Sequence, residues 1–390
     1  MNEAKQARKI EKVGIVAMPI ISVGGGFARV TFDLINCLNS LGKKVYLFTP
    51  FEIDMKKINE LYGQVRIEKV FNTNKITSFF CREDLLGRKL LGNQFKKFAS
   101  QVDFIFDMDG KVLHNYLPKY FNKNNYVIWR ASCINPNTYK LQKSKNIKII
   151  IKKNIKKLIS SKKDIPYSIR VYPLDEWTKK EIEDFWKIKT EWCLYPEIKT
   201  DQFFSSRKKK KQIIVFGRIA PNKSIDDSIR IFAESTRKHQ DYRLIILGGV
   251  TPDSKDYIQK LIDLSKKLGI KDRLLIIKDP SFDIIKKVLS ESEILIDSQK
   301  GVSLTMTAIE AMASRVIILA EKNGGTYKEI LDNGKFGYGF SGVNEGVKIL
   351  SGILDNKSDK NLKIQNSIER AKFFSPKNFK DRIKQILEEK

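Results

Sequence analysis

The chain of 390 residues is poor in the side chains that most often hold metals: two histidines, His114 and His239, and four cysteines. So few imidazoles exclude a histidine-rich metal centre, because transition-metal sites draw on several such ligands. Cys37, Cys81, Cys133 and Cys193 lie far apart with no CxxC pair. That excludes zinc-ribbon spacing and a disulfide framework, and it suits reduced, buried thiols in a cytoplasmic protein. Long apolar runs are missing too, since nothing approaches the ~18 residues that a bilayer-spanning helix needs. Lys5, Arg8, Lys9 and Lys12 followed by the apolar segment 13–23 imitate a signal peptide. Pro19 splits that run, however, and Gly24-Gly25-Gly26 leads into Phe27 and Arg29 instead of a small-residue cleavage site. The segment therefore reads as a first strand feeding a glycine turn. Acids are also scarce: 45 Asp and Glu stand against 73 Lys and Arg, a formal charge of +28.

A charge of that sign attracts nucleic acid, an anionic membrane surface or a polyphosphate substrate, and its distribution decides among them. The densest run, 140–163, holds ten lysines and no acid. Within it Ile147, Ile150, Ile151, Ile155, Leu158 and Ile159 recur at spacings of three and four. An apolar stripe flanked by Lys152, Lys153, Lys156 and Lys157 is the pattern of a membrane-surface helix. It is equally the pattern of a core-facing helix with a solvated basic back. No helix-turn-helix, zinc-finger spacing or aromatic RNP motif accompanies the charge, so no nucleic-acid partner is expected.

What is present in quantity is apolar sequence, 42% of the chain, in short runs that alternate with helical patterns. At this length two domains are expected. Val13–Met18 reads as a strand, 28–41 as a helix stopped by Gly42, and 45–49 as a second strand, the opening of a Rossmann-like half. The glycines do not form GxGxxG, so a dinucleotide fingerprint is absent. Further strands are expected at 102–106, ending in Asp107-Met108-Asp109-Gly110, and at 126–129, followed by Arg130. The polar, charged run 205–211 reads as linker. Beyond it the alternation resumes, with strands at 213–216, 244–247, 274–277, 294–296 and 316–319 and helices at 224–238, 254–268 and 282–289. Such alternation predicts parallel sheets covered on both faces.

The segment 293–329 carries the most chemistry. An apolar strand ends in Asp297, a Ser/Thr-rich loop follows, and a helix starts that bears Glu310. A helix N-terminus suits a phosphate, and a carboxylate one to two turns along can accept from sugar hydroxyls. Phosphate beside sugar describes a nucleotide or a nucleotide sugar. The run Thr305-Met306-Thr307-Ala308-Ile309-Glu310-Ala311-Met312-Ala313, with Gly324, Gly325 and Glu329 behind it, resembles the donor-binding signature of retaining glycosyltransferases of family 4. Phe216-Gly217-Arg218-Ile219-Ala220-Pro221-Asn222-Lys223 resembles that family's G-R-x-x-x-x-K element, and Asp175-Glu176-Trp177-Thr178 with Tyr195-Pro196 resembles the end of its first domain in lipid-linked-sugar mannosyltransferases and archaeal relatives.

The resemblance implies an α/β GT-B fold, with two Rossmann-like parallel-sheet domains facing a cleft. Expected boundaries are 1–198, a linker at 199–211, a donor domain at 212–372, and a C-terminal helix at 373–390 returning to the first domain. It implies a retaining, metal-independent, cofactor-free transfer of sugar from a nucleotide-diphosphate donor to a lipid-linked or glycan acceptor, at the cytoplasmic face of a membrane. Arg218 and Lys223 inherit the role of neutralising the donor diphosphate, and Thr305, Met306, Thr307 and Glu310 hold the donor. Gly25 and Gly26 are expected to let backbone N–H groups approach it closely. Two positions depart from the family pattern. Val302 stands where the first of two glutamates is usual, and no histidine follows the strands at 102–106 or 126–129, where Asp107, Asp109 or Arg130 could serve instead. Those departures leave a binding or scaffold subunit as the alternative to an enzyme, with a nucleic-acid binder behind both.

Overall fold

A computed structural model describes residues 9–17, 25–49, 52–72, 85–108, 117–130, 168–251, 254–356 and 358–389. Asp109 and the basic stretch 140–163, with Lys152, Lys153, Lys156 and Lys157, lie outside them. The chain divides into two compact units, residues 1–196 with 379–390, and residues 197–378.

The first unit is a six-stranded sheet of β1 (Lys12–Val16), β2 (Lys44–Thr49), β3 (Lys69–Asn72), β4 (Phe104–Asp107), β5 (Tyr126–Arg130) and β6 (Arg170–Pro173). Its order is β3-β2-β1-β4-β5-β6, every pairing parallel. Val13, Ile15 and Val16 of β1 and Leu47 and Phe48 of β2 are fully buried, as expected of central strands covered on both faces. Pro173 closes β6 at the sheet edge, where a missing N–H costs no ladder bond. Asp175 Oδ1 accepts from Thr178 N (2.8 Å), capping the helix Glu176–Trp186. The Asp-Glu-Trp-Thr patch thus has a local structural job, satisfying one of the helix's orphan donors.

The last turns of the chain belong to this first unit. Within the helix Pro376–Glu388, Phe379, Ile383 and Ile386 are buried, and the Phe379 ring lies 5.5 Å from that of Trp129. Trp129 in turn donates from Nε1 to the Leu194 carbonyl at 2.8 Å. Glu389 accepts from Arg170 (2.7 Å) and from the Tyr172 hydroxyl (2.6 Å). Burial raises the Glu389 carboxyl, but the hydrogen bonds from Tyr172 and Gln385 and the charge of Arg170 outweigh it and bring it below its ordinary value. A carboxyl lowered by folding stabilises the protein above its unfolded-state value, and that contribution is lost as pH falls through the folded value. Glu389→Gln should therefore cost up to about 1 kcal/mol at neutral pH, as for other part-exposed pairs. The difference from the parent should vanish in denaturant titrations well below pH 4.

The second unit repeats the winding: β7 (Gln212–Phe216), β8 (Arg243–Gly248), β9 (Leu274–Lys278), β10 (Ile294–Asp297), β11 (Ile317–Glu321) and β12 (Tyr338–Phe340). Their order is β12-β11-β10-β7-β8-β9, again all parallel. Alternate residues Ile213, Val215, Leu244, Ile246, Ile294 and Ile296 share one core with Ile229, Phe232, Leu261, Leu350 and Ile353. Those come from the helices Ile225–Ser235, Ser254–Lys267 and Gly342–Asp355. Burying each such Ile or Leu is worth about 1.5–3 kcal/mol. The polar run 205–211 lies along this unit: Ser206 N and Lys210 N donate to the carbonyls of Ser290 and Glu291. Lys209 Nζ reaches Ser314 O at 2.7 Å and Leu289 O at 3.4 Å. Those carbonyls lie at two helix C-termini, where a cation meets the negative end of the dipole.

Candidate active site

In both sheets the strand order reverses beside the first strand, between β1 and β4 and between β7 and β10. Open parallel sheets bind ligands at the carboxyl ends of the strands at such a switch point. In the second unit those ends are Phe216-Gly217-Arg218 after β7 and Asp297-Ser298-Gln299 after β10, and they line one small depression together with Lys223.

Gly217 has φ +148°, and a Cβ on Gly248 would lie 1.7 Å from the Gly217 carbonyl oxygen. Two glycines thus let the end of β8 touch the turn after β7 and aim Arg218 outward. Arg218 is exposed. Lys223 ends the short turn Pro221–Lys223 and donates from Nζ to Gln299 Oε1 at 2.5 Å. Burial pushes the Lys223 ammonium below the ordinary lysine value; the Asp297 carboxylate opposes that shift and Arg218 adds to it.

Asp297, 7% exposed, is the hub of the loop. Its Oδ1 accepts from Gln299 N (3.2 Å) and Nε2 (3.0 Å), and its Oδ2 from the hydroxyls of Thr305 (3.1 Å) and Thr326 (2.7 Å). Because Thr305 spends its hydroxyl on Asp297 and Thr326, no side chain caps the helix Met306–Ala313. Thr307 Oγ1 donates to the Phe216 carbonyl at 3.2 Å and pins that helix start to the end of β7. The Gly-Gly turn closes the back of the loop through Gly325 N to Val302 O at 2.8 Å. Glu310, one turn into the helix, is 3% exposed. The fold therefore gathers Arg218, Lys223, Thr305, Met306 and Thr307 at one sheet end, and Glu310 lies buried one turn along the same helix.

In the first unit Gly25, at φ +105°, precedes the helix Gly26–Ser40, which no side chain caps. Asp107 stands in register with Val16 at the end of β4, and its carboxylate accepts from the Tyr126 hydroxyl. At 1% exposure it is committed to the sheet interior. Arg130 is the last residue of β5. Cys37 and Cys193 are buried, and the Cys193 thiol donates to Glu176 Oε1 at 3.1 Å.

Gln299 and Thr326 belong to no motif in the sequence, where Asp297 marks only the end of a strand. A carboxylate at the carboxyl end of a strand that reads as buried is a signal that could have been used, because it needs partners there. Among the described residues no group of three His, Cys, Asp or Glu side chains could hold a metal ion. No described helix is long and apolar enough to cross a membrane.

Comparison with known proteins gives this geometry its context. The chain is 25% identical over 229 residues to the GDP-Man:Man(3)GlcNAc(2)-PP-Dol alpha-1,2-mannosyltransferase of Dictyostelium discoideum, a match covering 53% of this chain and 44% of that enzyme. The chain thus spans under half the length of that relative. It is 24% identical over 380 residues to the alpha-monoglucosyldiacylglycerol synthase of Acholeplasma laidlawii, covering 88% of each. Among solved structures, Anabaena HepE in complex with UDP superposes with a TM-score of 0.72 at 14% identity, over 97% of this chain and 99% of that one. Residues 197–367 match the family described as Glycosyl transferases group 1. The two parallel sheets of like winding are those of the GT-B fold, and the match to that family takes in nearly all of the second unit.

Proposed function

We propose that the protein is a retaining, metal-independent glycosyltransferase that moves a sugar from a nucleoside-diphosphate donor to a lipid-linked or glycan acceptor. One observation carries the reading: the cations Arg218 and Lys223 and the uncapped start of the helix Met306–Ala313 meet at the switch point of the second sheet. In the transfer, the bond from the sugar's anomeric carbon to the diphosphate breaks. The acceptor oxygen bonds that carbon on the same face, and the acceptor's proton passes to the departing diphosphate. Charge grows on the diphosphate as it leaves, and donors fixed in advance stabilise it. Arg218 offers a planar fork to two phosphate oxygens and Lys223 a point charge. These two cations supply the charge that a divalent ion would otherwise bring. Glu310 accepts from the ribose hydroxyls, and Gly25 and Gly26 present backbone N–H groups to the donor. Asp109 is the residue we assign to the neighbourhood of the reacting sugar.

The test is a panel of UDP- and GDP-sugars, scored by calorimetry and by release of the nucleoside diphosphate. Glu310→Gln turns a two-acceptor group into half a donor and should weaken nucleotide binding about tenfold, the loss of one good hydrogen bond to a charged group. Unchanged affinity with a lowered melting temperature would instead make Glu310 a purely structural acid. One observation favours a binding-only role: Val302 occupies the place of the family's first glutamate. Tight nucleotide binding with no turnover of any donor would establish that role.

The acceptor reading draws on the names of the two relatives, one acting on a dolichol-linked glycan and the other making a glycosyl diacylglycerol. For the membrane face the support is the basic, isoleucine-striped segment 140–163. Sedimentation should find the protein on anionic vesicles, less on neutral ones, and released as salt screens the charges. Replacing Lys152, Lys153, Lys156 and Lys157 with Gln should reduce that binding at unchanged stability. Undiminished binding by the four-lysine variant would remove the segment from the membrane contact.

A further inference from the structure

The arrangement around Lys223 has a second layer. Its ammonium donates to an amide oxygen, that of Gln299, and no described carboxylate lies within ion-pair distance of it. The amide cannot turn over, because its Nε2 donates to Asp297 Oδ1 and the Gln299 backbone N–H donates to the same oxygen. With the NH2 end held by a carboxylate, the oxygen must face the lysine. Asp297 in turn is held on its other oxygen by Thr305 and Thr326, which fixes it against moving toward Lys223. The lysine thus feels a negative charge through space while bonding a neutral acceptor.

We propose that Asp297 and Gln299 form a holding site for the Lys223 ammonium, from which it passes to the diphosphate of an incoming donor. The inference rests on the donor-site reading above. A phosphate oxygen brings the ammonium an opposite charge that the neutral Gln299 oxygen lacks, so exchange of the Gln299 oxygen for a phosphate oxygen runs downhill. A direct Lys223–Asp297 ion pair would have competed with the phosphate. Asp297 keeps the half-buried amine protonated without occupying it, and Thr305 and Thr326 couple that carboxylate to the start of the donor helix. Asp297 and Gln299 are positioning residues that act through Lys223. The other charges nearby are accounted for. Arg218 opposes the ammonium; Asp226 accepts from the Tyr257 hydroxyl at 3.0 Å and Asp227 from Lys300 at 3.0 Å.

The experiment is calorimetric binding of UDP and GDP between pH 6 and 10 to the full chain and its variants, compared at equal pH so that titration of the nucleotide cancels. Parent affinity should fall on the alkaline side as Lys223 loses its proton. Asp297→Asn removes the favourable charge and should move that fall to lower pH by about one unit, the lower end for a neighbouring opposite charge. Gln299→Glu should do the reverse, moving the fall upward while weakening binding several-fold at pH 7, because a carboxylate then competes for the amine. In a Lys223→Arg background neither substitution should move the profile, since a guanidinium does not titrate in this range. If circular dichroism shows Asp297→Asn unfolded, Gln299→Glu decides alone. An alkaline limb unmoved in the folded variants, or moved equally in the Lys223→Arg background, overturns the holding site and leaves the donor site standing. Absence of nucleotide binding by the parent at every pH removes both.

Discussion

Arg218→Ala should lower sugar transfer by about 2–4 kcal/mol of transition-state stabilisation, roughly one and a half to three orders of magnitude, as losing one preorganised donor does elsewhere. The effect belongs in kcat more than in KM, because the guanidinium matters most when charge has built up on the departing diphosphate. Arg218 is exposed and extends from a turn, so thermal unfolding should stay within about 0.5 kcal/mol of the parent. Adding Lys223→Ala should deepen the loss by less than the single effects combined, since the two cations act on one group. The double variant removes both cations assigned to the diphosphate, so nucleotide affinity should drop as well. Full activity in the double variant would remove both residues from the site.

Gly248→Ala should be among the most destabilising single changes in the second unit, at about 3 kcal/mol or more, the upper end for overpacking. Its Cβ would lie 1.7 Å from the Gly217 carbonyl oxygen and 2.5 Å from the carbonyl carbon, so backbone has to move. The Leu247 carbonyl accepts from Gly217 N, and Gly249 O accepts from Ile219 N; displacing β8 therefore disturbs both sides of Arg218. Nucleotide binding should fall together with stability. Gly249→Ala is the control, because its Cβ would meet nothing nearer than 3.8 Å, and it should change stability by less than about 0.5 kcal/mol. Equal unfolding midpoints for the two variants in denaturant would contradict the close approach of the strands.

Much of this architecture is legible in the sequence because buried parallel strands are written as unbroken Ile, Leu and Val runs. The segments 213–216, 244–247 and 294–296 each fall within a central strand, and Gly42 marks where the first helix has ended. The edges are harder. β3 (Lys-Val-Phe-Asn) and β12 (Tyr-Gly-Phe) are short and only part-buried, so neither length nor period separates them from loop. Arg218 and the Thr305 run are legible as motifs because each follows a central strand, and central strands meet at the switch point. The Asp297 network is not, since its partners lie 8 and 29 residues away and only the packing of the Gly-Gly turn brings Thr326 in. Asp107 shows the opposite failure. An acid at a strand end looks available for chemistry, and only the register of β5, which brings Tyr126 alongside β4, reveals that it is taken.

The return of the last residues to the first unit has a consequence for synthesis. A ribosome makes residues 1–196 first, yet Phe379, Ile383 and Ile386, buried in the finished protein, are made after the whole of 197–378. Until then the Trp129 ring lacks the neighbour that lies 5.5 Å away, and Arg170 and Tyr172 lack Glu389. The unit translated second can thus close before the one translated first, an inversion of the usual N-terminal-first order. A released chain truncated after residue 378 should present protease with an open first half and a resistant second half.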